Sequence, residues 1–223
     1  MRGDDSVTVM FDGLRQQLSD LGLTSFDIQL PGEDAHVAPL EGALRLSEGF
    51  DGGYELATVD YGRPYRLGTA ATEEEAAQLV LGYVSRPLPP VRPITRIELD
   101  EVVGKIAYHY FDLRDRARAA GPGGVVIDLP PQIPVDRIGA LDGVHPYPID
   151  TPYEFRSLPP QTLRPENDVH QFLTTGTVRV AAAIIQPWFG QPGGGIRYTL
   201  QAPRTGIRDL VVARDLQRLQ LAG

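Results

Sequence analysis

The 223-residue chain contains no cysteine. Disulfides, thiolate nucleophiles and zinc–thiolate sites are excluded with it, while the redox compartment stays open. Lysine is nearly absent too: Lys105 is the only one, so almost all basic charge is arginine. Arginine suits planar, two-pronged grips on phosphate and carboxylate. A cationic surplus is also missing. The net charge of -8 makes nucleic acid and anionic membrane poor partners. No apolar run approaches the ~20 residues that span a bilayer. The first ten residues are polar and acidic, with no basic start followed by an apolar stretch, so no signal peptide is visible. The expectation is a soluble protein, cytoplasmic or exported by a signal-independent route. Histidines are few and scattered, His36 and His109 among them, and no metal site is expected.

What remains is ordinary globular material. Hydrophobic residues make up 42% and charged residues 22%, enough for one large domain or two small ones with a real core. Four prolines fall in Arg86-Pro87-Leu88-Pro89-Pro90-Val91-Arg92-Pro93, which excludes helix interior and central strand there and reads as an extended linker. A second break is Gly121-Pro122-Gly123-Gly124.

Before the first break, residues 1–86 read as a small α+β module of unassigned role. Met10, Leu14, Leu18 and Leu21 have helical spacing, and residues 43–46, 54–61 and 64–67 read as short strands. Thr72-Glu73-Glu74-Glu75 is a capping-box start for a helix running to Val84. Residues 87–121 read as the linker followed by a long helix over 97–119, striped by Val102, Ile106, Tyr110 and Leu113. Residues 122–223 are β-rich, with strands expected at 125–129, 169–173, 178–183 and 196–200, and a strand and short helix in 211–221. The fold class is therefore α+β.

The densest chemistry lies in Gln186-Pro187-Trp188-Phe189-Gly190-Gln191-Pro192-Gly193-Gly194-Gly195. Glycines such as Gly193 let backbone N–H groups approach a ligand closely. Trp188 and Phe189 can stack on a base or a nicotinamide ring, and Gln191 can orient an amide or a ribose hydroxyl. The same stretch also reads as a hairpin turn with a tryptophan plug.

Three further elements stand upstream: Asp136-Arg137-Ile138-Gly139, then Thr151-Pro152-Tyr153-Glu154-Phe155-Arg156-Ser157-Leu158-Pro159-Pro160, then Val169-His170-Gln171-Phe172. With the tryptophan-to-glycine stretch, these four in this order resemble the tuberculosis-necrotizing-toxin family over about residues 125–202. The resemblance implies an NAD(P) glycohydrolase that cleaves the nicotinamide–ribose bond without metal or cofactor, NAD or NADP being the substrate. It implies a bacterial NAD-depleting toxin or effector, with a cognate immunity protein as a possible partner. Carried over by motif, Arg137, His170 and Gln191 are catalytic candidates, and Arg156, Trp188, Phe189 and Gly193 substrate-binding ones. The family's tyrosine eight residues after the first arginine falls on His145, with Tyr147 two residues on, which makes His145 a fourth catalytic candidate.

The residue types suit the substrate. Arg137 and Arg156 can each fork a pyrophosphate, His170 can position substrate or water, and an imidazole at position 145 would gain charge near pH 6.5. Asp136 and Glu154 stand near the motifs as carboxylate candidates. Two rivals share these features: a catalytically weak NAD-binding relative, and an ADP-ribosyltransferase.

Overall fold

A computed structural model describes residues 5–33, 40–163 and 169–222; His36 lies outside them. The fold class is α+β. Helix α1 (Asp5–Asp20) leads into β1 (Ile28–Gln29), β2 (Ala43–Glu48), β3 (Tyr54–Asp60), β4 (Arg63–Ala70) and helix α2 (Glu73–Val84). The strands form one sheet in the order β1-β2-β3-β4. Phe11, Leu14 and Leu18 of α1 and Ala76, Val80 and Tyr83 of α2 bury one face of it. The Thr72 side chain and Glu75 form the expected capping box at the start of α2.

The rest comprises β5 (Arg92–Ile94), α3 (Arg96–Ala120), β6 (Val125–Leu129), β7 (Pro134–Ile138), β8 (Tyr147–Pro148), α4 (Tyr153–Arg156), β9 (Val169–Thr174), β10 (Val178–Ile184), β11 (Ile196–Leu200), α5 (Ile207–Ala213) and β12 (Leu216–Leu221). They build two sheets, ordered β11-β10-β6 and β5-β12-β9-β7-β8. Leu113 of α3, Val135 of β7, Phe172 of β9, Val180 of β10, Tyr198 of β11 and Val211 of α5 meet in the main core. No helix among the described residues is long and apolar enough to cross a membrane.

The proline-rich stretch is not the free linker that its composition suggests. Arg92–Ile94 pairs in parallel with the end of β12, Leu219 opposite Arg92 and Leu221 opposite Ile94. The carbonyls of Pro89 and Pro90 accept from Arg218 Nη2 (2.7 Å) and Gln217 Nε2 (2.9 Å). Prolines survive here because β5 is an edge strand, where a missing N–H breaks no ladder. Ile94 is buried with Leu99, Ile149, Leu173 and Leu219. Ile94→Ala should therefore cost about 2–4 kcal/mol of stability in urea unfolding; a free linker would lose less than about 0.5 kcal/mol.

Candidate active site

The turn joining β3 to β4 holds Tyr61 and Gly62 at φ 50° and 70°. Positive φ at both central residues is the habit of tight hairpin turns, which favour Asn-Gly; a bulky aromatic in the first position is rare and strained. Asp60, just before it, is 1% exposed. Its carboxylate accepts from Arg137 Nη2 (2.9 Å) and Nη1 (3.3 Å) and from the Val144 backbone N–H (2.6 Å). The Arg137 guanidinium lies between Gly42 and Gly143, and a Cβ on either glycine would overlap it.

Burial sets the charges around this pair. Desolvation alone would raise Asp60, but Arg137 holds it well below the usual carboxylate range. Glu41, which accepts from the Tyr61 N–H at 2.6 Å, is pushed up by burial and by the Asp60 charge. His145 is pushed down to about 4 by burial, with Asp60 opposing and Arg197 assisting the shift. It is therefore neutral at neutral pH. Its Nδ1 faces the Tyr198 carbonyl at 3.3 Å. The Thr199 hydroxyl lies 3.1 Å from the same nitrogen, and Nε2 faces the Tyr65 hydroxyl at 3.1 Å.

Tyr61 reaches across to the other sheets. Its hydroxyl donates to the Arg156 carbonyl (2.6 Å) and accepts from the Tyr147 hydroxyl (2.7 Å). A cleft of about 640 Å³ opens beside it, lined by Tyr61, Arg63 and Tyr65 on one side and by His145, Ser157, Trp188 and Arg197 on the other. That volume suits a small organic ligand. Arg63 and Arg197 are not among the ion pairs of the described residues, and Arg197 Cζ sits 5.0 Å from the Tyr61 ring centroid. No described carboxylate lines the cleft.

The far wall carries a second aromatic–glycine turn. Trp188 and Gln191 exchange backbone hydrogen bonds at 3.2 and 2.9 Å, with Phe189 and Gly190 between them at φ 51° and 74°. Trp188 stacks on Phe189 at 4.3 Å and lies nearly parallel to Tyr61 at 6.2 Å, the planes 11° apart. Gln191 Nε2 donates to the Leu158 carbonyl at 2.8 Å. Gln191 Oε1 and the Oγ of neighbouring Ser157 are buried without a hydrogen-bond partner, an arrangement that calls for a ligand or water.

The family model for tuberculosis necrotizing toxin matches residues 128–219, the segment that supplies this wall of the cleft. Residues 128–219 are a domain of that family. A conidial surface nicotinamide adenine dinucleotide glycohydrolase of Aspergillus fumigatus is 33% identical over 86 residues, covering 36% of this chain and 37% of that protein. The chain thus spans little more than a third of the curated relative's length.

Within the necrotizing-toxin domain, the structure separates residues that their motifs had grouped. His145 and Trp188 line the cleft, Phe189 backs Trp188, and Gln191 braces the turn from below. Arg137 and Arg156 do not reach it as open forks: both are buried in ion pairs. Arg156 Nη1 and Nη2 hold Asp136 at 2.6 and 2.9 Å, and its Nε donates to the Thr151 carbonyl at 2.7 Å. Asp136 is thereby the partner of Arg156 and not of its neighbour Arg137, while Glu154 is exposed. His170 stands opposite Arg137 in the β7–β9 ladder and borders a separate cavity of about 180 Å³ beside Asp142 and Arg208. Gly193 is needed for backbone approach: its N–H donates to the Glu154 carbonyl at 3.2 Å, and a Cβ would strike the Ile185 carbonyl. The expected charge change of His145 near pH 6.5 gives way to a lowered pKa, because the ring is 2% exposed. Tyr61, Arg63, Tyr65, Ser157 and Arg197 were missed. Asp60-Tyr61-Gly62-Arg63 shares its aromatic–glycine pair with Trp188-Phe189-Gly190-Gln191, and that likeness was the available signal.

Arg137→Gln should destabilise the fold by about 3–5 kcal/mol in urea unfolding, because it leaves Asp60 buried and unpaired; an unchanged midpoint would remove the structural role. The pH dependence follows from two opposed groups. The unfolded state protonates His145 below about pH 6.5 and the folded state only near 4, so stability is lost as pH falls through that window. Glu41, raised in the folded state, contributes stability at low pH and loses it as pH rises above the ordinary carboxylate range. The two slopes oppose each other in mildly acidic solution. Glu41→Gln should uncover the His145 slope, so that stability falls between pH 6.5 and 4 by up to about 1.4 kcal/mol per unit. Unfolding midpoints of both proteins across that range check this.

Proposed function

We propose that the chain is an NAD(P) glycohydrolase that hydrolyses the nicotinamide–ribose bond, acting as an NAD-depleting toxin or effector. The observation that carries this reading is that the necrotizing-toxin domain supplies a cleft wall in which the buried Ser157 Oγ lacks a hydrogen-bond partner beside an exposed tryptophan, with the unpartnered Gln191 Oε1 on the turn behind it. The relative named as an NAD glycohydrolase supports the same reaction class.

The chemistry needs no redox step and no cofactor. The C–N bond breaks, its electron pair leaves with nicotinamide, and the ribose becomes an oxocarbenium ion that water captures, yielding ADP-ribose and a proton. The nicotinamide is cationic in the substrate, so it departs neutral without being protonated. The protein's task is to hold the dinucleotide, to face the growing positive charge with fixed dipoles, and to admit water. The carbonyl oxygen of Gln191 has the right sign for that charge. His145 is neutral at neutral pH, so it does not repel it.

Incubation of the purified chain with NAD or NADP should release nicotinamide and ADP-ribose in water alone. A requirement for an acceptor protein would mark a transferase, and binding without turnover a degenerate relative. Gln191→Ala should lower kcat about a hundredfold with a smaller change in KM, since the interaction belongs to the transition state. Wild-type kcat in a folded Gln191→Ala would remove the residue from the mechanism.

A further inference from the structure

One side of the cleft comes from outside the family-matched segment. Tyr61, Arg63 and Tyr65 belong to the β3–β4 hairpin, whereas the match begins at residue 128. We infer that this hairpin is the adenine-and-diphosphate half of the substrate site: Tyr61 and Trp188 clamp the adenine ring, and Arg63 with Arg197 takes the phosphates. The inference rests on the NAD reading and assigns the orientation of the dinucleotide within it.

Three observations converge. First, the Tyr61 and Trp188 rings lie 11° from parallel with centroids 6.2 Å apart. A planar ring entering between them needs about 3.5 Å on each face, so Trp188 moves outward to admit it. Trp188 is 50% exposed and sits on a turn, so its side has room to yield. Tyr61 is the fixed jaw, its hydroxyl held by Arg156 and Tyr147.

Second, one jaw and the residue that backs the other stand on strained backbone. Tyr61 and Phe189, which backs Trp188, each adopt left-handed φ before a glycine. Asparagine would turn the chain at lower strain. Retaining a bulky aromatic in such a position points to a use for the ring.

Third, the charge of the cleft suits one end of the dinucleotide. Arg63 is exposed at the end of the turn and Arg197 lies 5.0 Å from the Tyr61 ring, with no carboxylate of the described residues in the lining. Two cations without a carboxylate beside them fit a diphosphate. They also disfavour the cationic nicotinamide ring at Tyr61, leaving the neutral adenine as the ring the clamp accepts. The nicotinamide ribose then lies toward Ser157 and Gln191, where the buried oxygens await donors.

Trp188 is the only tryptophan beside nine tyrosines, so fluorescence excited selectively at tryptophan reports this site, independently of turnover. ADP-ribose should quench it, and nicotinamide mononucleotide should quench it far less. Arg63→Gln removes an exposed charge without touching the core; it should weaken ADP-ribose binding, and raise KM for NAD, about tenfold each. Tyr61→Asn should weaken ADP-ribose binding at least as much, in preparations whose thermal midpoint shows them folded. Wild-type nicotinamide release with unchanged KM and ADP-ribose affinity in Arg63→Gln would overturn the inference and leave the glycohydrolase reading standing. Stronger quenching by nicotinamide mononucleotide than by ADP-ribose would reverse the orientation and overturn it too. A wild-type protein that neither quenches with any of these ligands nor releases nicotinamide would overturn both.

Discussion

The buried ion pair between Asp60 and Arg137 is the interaction on which the cleft depends. Asp60 ends β3 and Arg137 lies in β7, 77 residues later. Taking both charges out of water is unfavourable, and their attraction offsets that only with good geometry and further hydrogen bonds. Asp60 has both: two guanidinium nitrogens and the Val144 N–H. The residues that follow each anchor are cleft residues, Tyr61 after Asp60 and His145 after Val144. A pair that never meets solvent thus fixes the positions of two rings that line the cleft.

Gly42 and Gly143 make the pair possible. A guanidinium is flat, and here it occupies a slot between two backbones that any side chain would fill. A similar economy of space holds on the other side. Arg156 is pinned by Asp136 and by the Thr151 carbonyl, so its own carbonyl is steady enough to receive the Tyr61 hydroxyl. The arginines that the motifs single out therefore shape the site through what they hold still, and Arg63 and Arg197, which form no ion pair among the described residues, face the open space.

The sequence made the regular elements legible and hid the assembly. The capping box at Thr72, the glycine after α3 and the alternation in 196–200 are local signals, and α2, α3 and β11 follow them closely. Strand β7 was invisible because the adjacent charges of Asp136 and Arg137 break its apolar pattern; their partners, Arg156 and Asp60, are distant in sequence. The proline count hid β5, since an edge position that tolerates proline is a property of the sheet and not of the segment. In the site, the aromatic–glycine stretch around Trp188 was readable from its composition. Tyr61 was not, because its importance comes from an interface between parts of the chain that no motif joins. Gln191 was named for its chemistry, yet the lone pair that gives it interest is evident only once Leu158 occupies its amide.

The long separations across the cleft also bear on how the molecule forms. Tyr61 meets Tyr147, 86 residues away, and Tyr65 meets His145, 80 residues away. Contacts of such range close large loops before they return any stabilisation, so they form late. Helices and hairpins can assemble on either side while the cleft still has no walls. On refolding, the return of helical signal should therefore run ahead of the return of ligand binding, and a chain caught between the two is structured but chemically silent.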